Sequence, residues 1–181
     1  MMEHPDVIIS AIGADDIRPP FPGIDNPKVM MAREAETCDE LGQNIVVIGG
    51  GLVGVETALN FAMQGKKVSI VEMLPSIAND ANFRYARTYR WKIEEYKIDV
   101  YTSTKCKAIT DAGVEAEDKD GNDILIPADN VIISVGMRPL TAQSEALRDC
   151  APTFIPIGNC VRPGVVFDAI RAGFDAAMFQ I

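Results

Sequence analysis

One histidine in 181 residues excludes a histidine-based metal site and leaves almost no room for a Ser-His-Asp triad. Four cysteines (Cys38, Cys106, Cys150 and Cys160) are widely spaced and form no C-x-x-C, so neither a zinc ribbon nor a thioredoxin-like dithiol is indicated. Basic residues are scarce, 17 against 26 acidic, for a net charge of −9. Nucleic-acid and anionic-membrane binders need clustered Lys and Arg, so neither partner is expected. Apolar runs are short. The longest, such as residues 45–55, fall far below the ~20 residues that span a bilayer. The first ten residues carry no basic region, long apolar core or small-residue cleavage site, so no signal peptide is expected and the cytoplasm is the expected compartment. Fourteen Gly and eleven Pro are too few for a disordered or collagen-like chain. What remains is a globular composition, 48% hydrophobic and 24% charged. A chain of this length buries roughly 70% of its unfolded surface and needs no staple.

The punctuation of the chain is informative. Residues 6–13, DVIISAIG, read as a buried strand ending in a glycine turn. Three prolines within residues 18–23 make a stiff linker, and a short helix is expected around 33–41. Residues 44–49 are a second buried strand, followed by a Gly-rich turn and a helix from Val53 to about Gln64, with Gly65 as its cap. The strand at 67–71 then ends at Glu72. Strand, turn, helix, cap and strand make one βαβ unit. A helix over 81–96 and a strand at 98–101 follow. Strands at 107–110, 114–117 and 124–126 form a small antiparallel meander, with Asp120-Gly121 as a hairpin signal. Strands at 131–135 and 154–157 end at Gly136 and Gly158, and a last helix covers about 166–178.

Gly49-x-Gly51-x-x-Gly54 matches G-x-G-x-x-G, and each glycine has a task. Gly49 permits the tight turn out of the strand, Gly51 lets a pyrophosphate approach the backbone, and Gly54 lets helix and strand pack closely. The N–H groups and positive dipole end of the helix then face the phosphates. Gly49, Gly50, Gly51, Leu52, Val53 and Gly54 are therefore the candidate phosphate cradle. Glu72, 23 residues after Gly49, stands where a carboxylate accepts both hydroxyls of an adenine ribose, with Met73 next to it. A carboxylate there repels a 2′-phosphate, and Met73-Leu74-Pro75 supply no cation, so NADH is expected over NADPH. Arg84 and Arg87, in the next helix, are read as solvated or paired.

Ser10-Ala-Ile-Gly13 and Ser134-Val-Gly136 end alike, and each precedes an Arg-Pro, at Arg18-Pro19 and Arg138-Pro139. With the Gly-rich βαβ unit between them, this arrangement resembles the two-dinucleotide-binding-domain flavoproteins, the pyridine nucleotide-disulfide oxidoreductases and their relatives. The resemblance covers essentially the whole chain. It implies that the chain leaves an FAD domain, builds the NAD(P)H domain, and returns through Gly136 to close the FAD domain at Gly158-Asn159. The run from Ile157 to Gly164, with Phe167-Asp168-Ala169-Ile170 and Gly173-Phe174, looks more like the 2-enoate reductase and 2,4-dienoyl-CoA reductase branch, the Old Yellow Enzyme-like NADH:flavin oxidoreductases. That branch implies FMN and an iron–sulfur cluster in a parent enzyme. The wider family implies a Glu near the nicotinamide, here Glu56, which is equally read as a first-turn carboxylate favoured by the helix dipole. Two departures stand out. The FAD domain of the family carries its own G-x-G-x-x-G, which this chain lacks, and the family's G-D is Gly158-Asn159 here. The expectation is an excised piece, or C-terminal remnant, of a longer enzyme, which purifies colourless.

The expected architecture is α/β. Residues 1–42 are an FAD-domain strand and linker, 43–136 a Rossmann-like NAD(H)-binding domain with a β-meander, and 137–181 a closing segment of a partial, truncated FAD lobe. That lobe is expected to expose apolar surface left by the missing FAD half and substrate domain, favouring self-association. All four cysteines are read as structural thiols, Trp91 and Tyr96 as packing residues, residues 115–123 as a solvated acidic hairpin, and His4 as inert. No residue is assigned an acid or base role, because hydride transfer between nicotinamide and flavin is cofactor chemistry. Two other functions stay open: a non-catalytic NAD(H)-binding or sensing module, and a disulfide reductase, which would need a dithiol outside this chain.

Overall fold

The computed structural model describes residues 4–79 and 81–179, with the main chain alone for Phe83 and Arg84. The chain divides into two compact units: Ile17–Gly136, and a flanking unit made of the segments through Asp16 and from Met137 onward. The flanking unit begins with β1 (Val7–Ser10) and β2 (Ala14–Asp16). The central unit holds β3 (Val29–Met31), α1 (Ala32–Ala35), β4 (Asn44–Ile48), α2 (Leu52–Met63), β5 (Lys67–Val71), α3 (Phe83–Glu95) and β6 (Asp99–Tyr101). It continues with β7 (Lys105–Thr110), β8 (Gly113–Glu117), β9 (Asp123–Pro127) and β10 (Asn130–Ile133). The flanking unit resumes with β11 (Met137–Pro139), α4 (Thr141–Glu145), β12 (Thr153–Pro156) and α5 (Val166–Phe179).

In the central unit β3, β10, β4, β5 and β6 lie side by side in that order, all parallel. Period-two alternation commits each face of this sheet to a different core. Ile45 and Val47 of β4, Val68 and Ile70 of β5 and Ile132 of β10 pack with Val55, Ala58, Leu59 and Phe61 of α2. Val46 and Ile48, Val71, and Val131 and Ile133 face the other way, onto Ile109, Val114 and Ile126 of the antiparallel meander β7–β8–β9. Helices cover one face and the meander the other, which is why these strands are apolar at almost every position.

Both long helices of this unit end in the same six-residue device. At α2, Lys66 N–H reaches the Phe61 carbonyl and Gly65 N–H the Ala62 carbonyl, with Gly65 at φ +84°. At α3, Ile98 N–H reaches Ile93 and Lys97 N–H reaches Glu94, and Lys97 takes the left-handed conformation at φ +52°. The Ile17 N–H donates to the Gly136 carbonyl at 3.0 Å, so the two ends of the central unit meet.

In the flanking unit β1 pairs with β12 in parallel and β2 with β11 antiparallel. A polar cluster ties its pieces together. Ser144 Oγ donates to Ser10 Oγ at 2.7 Å, and the buried Cys160 thiol donates to the Ser10 and Ile157 carbonyls. Helix α5 buries Ala176 but leaves Val166, Phe167, Ile170, Phe174, Met178 and Phe179 exposed, Phe167 by 67%.

Several expectations are corrected. The expected boundary at residue 42 falls instead between Asp16 and Ile17, because Val29–Met31 adds an edge strand to the central sheet. The helix expected at 33–41 is the single turn Ala32–Ala35. Gly136-Met-Arg-Pro is more than a turn: Met137–Pro139 pairs with Ala14–Asp16. Cys150 is exposed, and Trp91 is 59% exposed under the Lys92 ammonium, so neither is a core residue. Tyr96 does pack on the helical core.

Candidate dinucleotide site

Strands β4, β5 and β10 end together at one edge of the sheet. β4 is followed by α2 and β5 on one side, while β10 joins it from the other after the meander. This reversal of strand order is where open α/β sheets place ligands. The turn after β4 is pinned on both flanks. Gly49 N–H donates to the Val71 carbonyl at 2.9 Å, and Ser134 N–H donates to the Ile48 carbonyl at 2.8 Å.

The glycine pattern is required sterically. Gly49 sits at φ +107°, and a Cβ there would lie 2.1 Å from the Ser134 carbonyl oxygen. A Cβ on Gly54 would lie 2.0 Å from the Gly49 carbonyl oxygen, so α2 approaches the turn as closely as backbone allows. Gly51 is the N-cap of α2. It makes no side-chain cap, and the first turn holds no acidic residue. The positive dipole end of this helix therefore faces the turn with no acidic side chain of its own first turn beside it. A turn where a Cβ would clash, leading into the positive end of a helix dipole, has the features a pyrophosphate needs, so the residues fit a dinucleotide. Leu52 and Val53 form the first turn, Val53 exposed.

Glu72 leaves the end of β5 and is only 8% exposed. Its Oε2 accepts the Gly50 N–H at 2.6 Å and its Oε1 the Leu74 N–H at 2.7 Å. The structure thus brings Glu72 onto the glycine turn itself. Met73 is exposed at the rim. Glu56 is in the second turn of α2, not the first, because the helix starts at Leu52. Its Oε1 accepts the Tyr89 hydroxyl of α3. Tyr89 was absent from the sequence reading, since nothing local in a helix face signals a partner 33 residues away. Arg87 is exposed, and the Arg84 side chain lies outside the described residues.

Gly136 is at φ +105°, just after the Ser134 carbonyl that touches Gly49. Gly158 and Asn159 belong to the flanking unit. Gly158 is at φ +66°, and Asn159 Oδ1 accepts the Gly164 N–H at 3.2 Å. Its amide N–H groups remain the part of the side chain suited to a flavin hydroxyl. An open cavity of about 730 Å³ in this unit is lined by His4, Asp6, Arg148, Asp149, Cys150 and Phe154, none of them an expected site residue. Among the described residues no three His, Cys, Asp or Glu gather as a metal site, so these residues offer an iron–sulfur cluster no ligand set. No described helix is long and apolar enough to cross a membrane.

Residues 4–150 match the pyridine nucleotide-disulphide oxidoreductase family. The chain belongs to this family. Its members are flavin-dependent pyridine nucleotide oxidoreductases, which implies NAD(P)H and FAD as cofactors. The chain is 37% identical over 179 residues to a bilirubin reductase of Mediterraneibacter gnavus, covering 98% of this chain and 28% of that protein. It is 32% identical over 179 residues to an NADH oxidase of Thermoanaerobacter brockii, covering 96% and 28%. A solved 2-naphthoyl-CoA reductase in complex with 2-naphthoyl-CoA superposes with a TM-score of 0.90 at 31% identity, covering 97% of this chain and 27% of that one. The chain therefore spans little more than a quarter of the length of these relatives.

Proposed function

We propose that this chain binds NADH and is the nicotinamide-nucleotide portion of a longer flavin oxidoreductase that reduces an activated alkene or similar acceptor. The observation that carries the reading is the sterically tight Gly49-x-Gly51-x-x-Gly54 turn at the head of α2, with the Glu72 carboxylate buried against it. When bound, NADH supplies a hydride and FAD accepts it. The residues here do the positioning. The turn and the α2 N-terminus would hold the pyrophosphate, Glu72 would accept the adenine ribose, and Glu56, in the second turn of α2, would be the carboxylate near the nicotinamide. In the flanking unit, Gly158 and Asn159 are the residues that would meet the flavin, with the remaining FAD contacts supplied by chain beyond these residues; in the central unit, Gly136 is the residue proposed at the cofactor end of β10. FMN and an iron–sulfur cluster belong to the same proposal for the longer protein. The apolar face of α5 is the surface that the rest of that protein would cover.

The enoate-reductase-like run at 157–164 supports an unsaturated acceptor over a disulfide. So do relatives named for reduction of bilirubin and 2-naphthoyl-CoA. NADH is favoured over NADPH because Glu72 repels a 2′-phosphate and Met73-Leu74-Pro75 offer it no cation. Calorimetric titration of the 181-residue chain tests this. NADH binds more tightly than NADPH, and Gly51→Val abolishes both. Equal or tighter NADPH binding overturns the NADH assignment and directs attention to Arg84 and Arg87.

A further inference from the structure

Gly50 is held from both sides by the segment that follows β5. Its N–H donates to Glu72 Oε2 at 2.6 Å, and its carbonyl accepts the Ala78 N–H at 2.7 Å. Ala78 is buried and sits in the left-handed region at φ +53°, a conformation that disfavours a residue with a Cβ. The second Glu72 oxygen takes the Leu74 N–H at 2.7 Å, and Ser103 N–H takes the Leu74 carbonyl at 2.9 Å. Residues 72–78 thus form a closed strap whose two ends grip one glycine, at the cost of a strained alanine. In a trans peptide C=O and N–H point in opposite directions. Anchoring the Gly50 carbonyl on Ala78 therefore fixes the Gly51 N–H in the opposite direction.

We propose that Glu72 is a positioning residue for the phosphate-binding turn, in addition to being the ribose acceptor. Its two oxygens clasp Gly50 and Leu74 and set the turn before any ligand arrives. This rests on the dinucleotide reading above and adds to it. A residue that only binds ribose does not influence a ligand lacking ribose. Removing its charge would, by simple electrostatics, strengthen the hold on an anion. The clasp predicts the opposite sign.

The probes are inorganic pyrophosphate and NADH, titrated into the full 181-residue chain, with amide hydrogen exchange of the ligand-free chain read by NMR. In the wild type the Gly50 and Leu74 amides are protected. Glu72→Gln makes both exchange about tenfold faster, leaves the β4 and β5 amides unchanged, and weakens pyrophosphate by about tenfold and NADH by more. Glu72→Asp keeps the charge but is one methylene too short to reach both donors, and behaves as Glu72→Gln does. Three results overturn the clasp: unprotected Gly50 and Leu74 amides in the wild type, wild-type or tighter pyrophosphate binding by Glu72→Gln, or full rescue by Glu72→Asp. The first needs no variant to fold. A wild-type chain with both amides protected that fails to bind NADH overturns the dinucleotide reading instead, so the two failures are told apart.

Discussion

The Tyr89 hydroxyl of α3 donates to Glu56 Oε1 of α2 at 2.5 Å, and the Tyr85 ring stacks beside it with centroids 6.4 Å apart. This bond to a charged group ties α3 to α2, the helix that follows the glycine turn. Because Glu56 is exposed, solvent screens much of its worth. Tyr89→Phe is expected to cost about 1 kcal/mol or less in urea unfolding. It is also expected to free Glu56, changing NADH affinity in the calorimeter if that carboxylate lies beside the nicotinamide. Unchanged affinity with lowered stability makes the pair a helix tie alone.

Gly54→Ala tests the contact of α2 with the turn. Alanine is the better helix former by about 1 kcal/mol. Its Cβ, however, would lie 2.0 Å from a backbone oxygen that cannot rotate away. Overpacking wins, with an expected net loss of about 1–3 kcal/mol, read as a lowered unfolding midpoint. NADH binding should fall with it, since Gly49 is displaced.

Lys97→Gly goes the other way. Lys97 is exposed, and its left-handed φ costs about 1 kcal/mol that glycine does not incur. The Ile98-to-Ile93 bond and both buried isoleucines stay in place. The expected outcome is a gain of about 1 kcal/mol in stability, read as a raised urea midpoint, with far-ultraviolet circular dichroism unchanged.

Much of this was written in local sequence. Gly65 marked the end of α2, Asp120-Gly121 marked the hairpin turn between β8 and β9, and the all-apolar strands announced a sheet covered on both faces. The glycine turn was legible because its steric demands leave no other residue. What escaped was set by distant partners. Val29-Met-Met is three residues long and becomes a strand only by pairing with Val131–Ile133. Met137-Arg-Pro is extended only because Ala14–Asp16 lies opposite. Lys97 does the work of a glycine without being one. The Glu72 clasp uses main-chain N–H groups, which every sequence has and none advertises.

The acid limb of stability should depend on Asp129. Its Oδ2 accepts the Asn44 main-chain N–H at 2.7 Å and the Asn44 side-chain amide at 3.0 Å, and these bonds, main-chain first, hold its carboxyl below the ordinary 3.8. A group whose folded value is lowered contributes stability above its unfolded value and loses it as pH falls through the folded value. Stability therefore declines as pH drops below about 4, and Asp129→Asn flattens that decline. Urea midpoints measured from pH 6 down to pH 3 give both slopes.

Thiol chemistry should separate the cysteines. Cys150 is exposed, Cys160 is buried with its thiol donating to two carbonyls, and burial pushes the Cys106 thiol up to about 11. With an aromatic disulfide reagent at pH 8, Cys150 is expected to react first and Cys106 and Cys160 only on unfolding. Peptide mapping after brief labelling identifies the site.

The hydrogen bond from Ile17 to Gly136 also has a genetic meaning. The central unit enters and leaves the chain through one gap, closed by the 3.0 Å bond from Ile17 to Gly136, so its 120 residues form a cassette. Such a block can be spliced into a host loop, excised and joined end to end, or opened at a new point such as the Asp120-Gly121 turn, without any strand changing its neighbours.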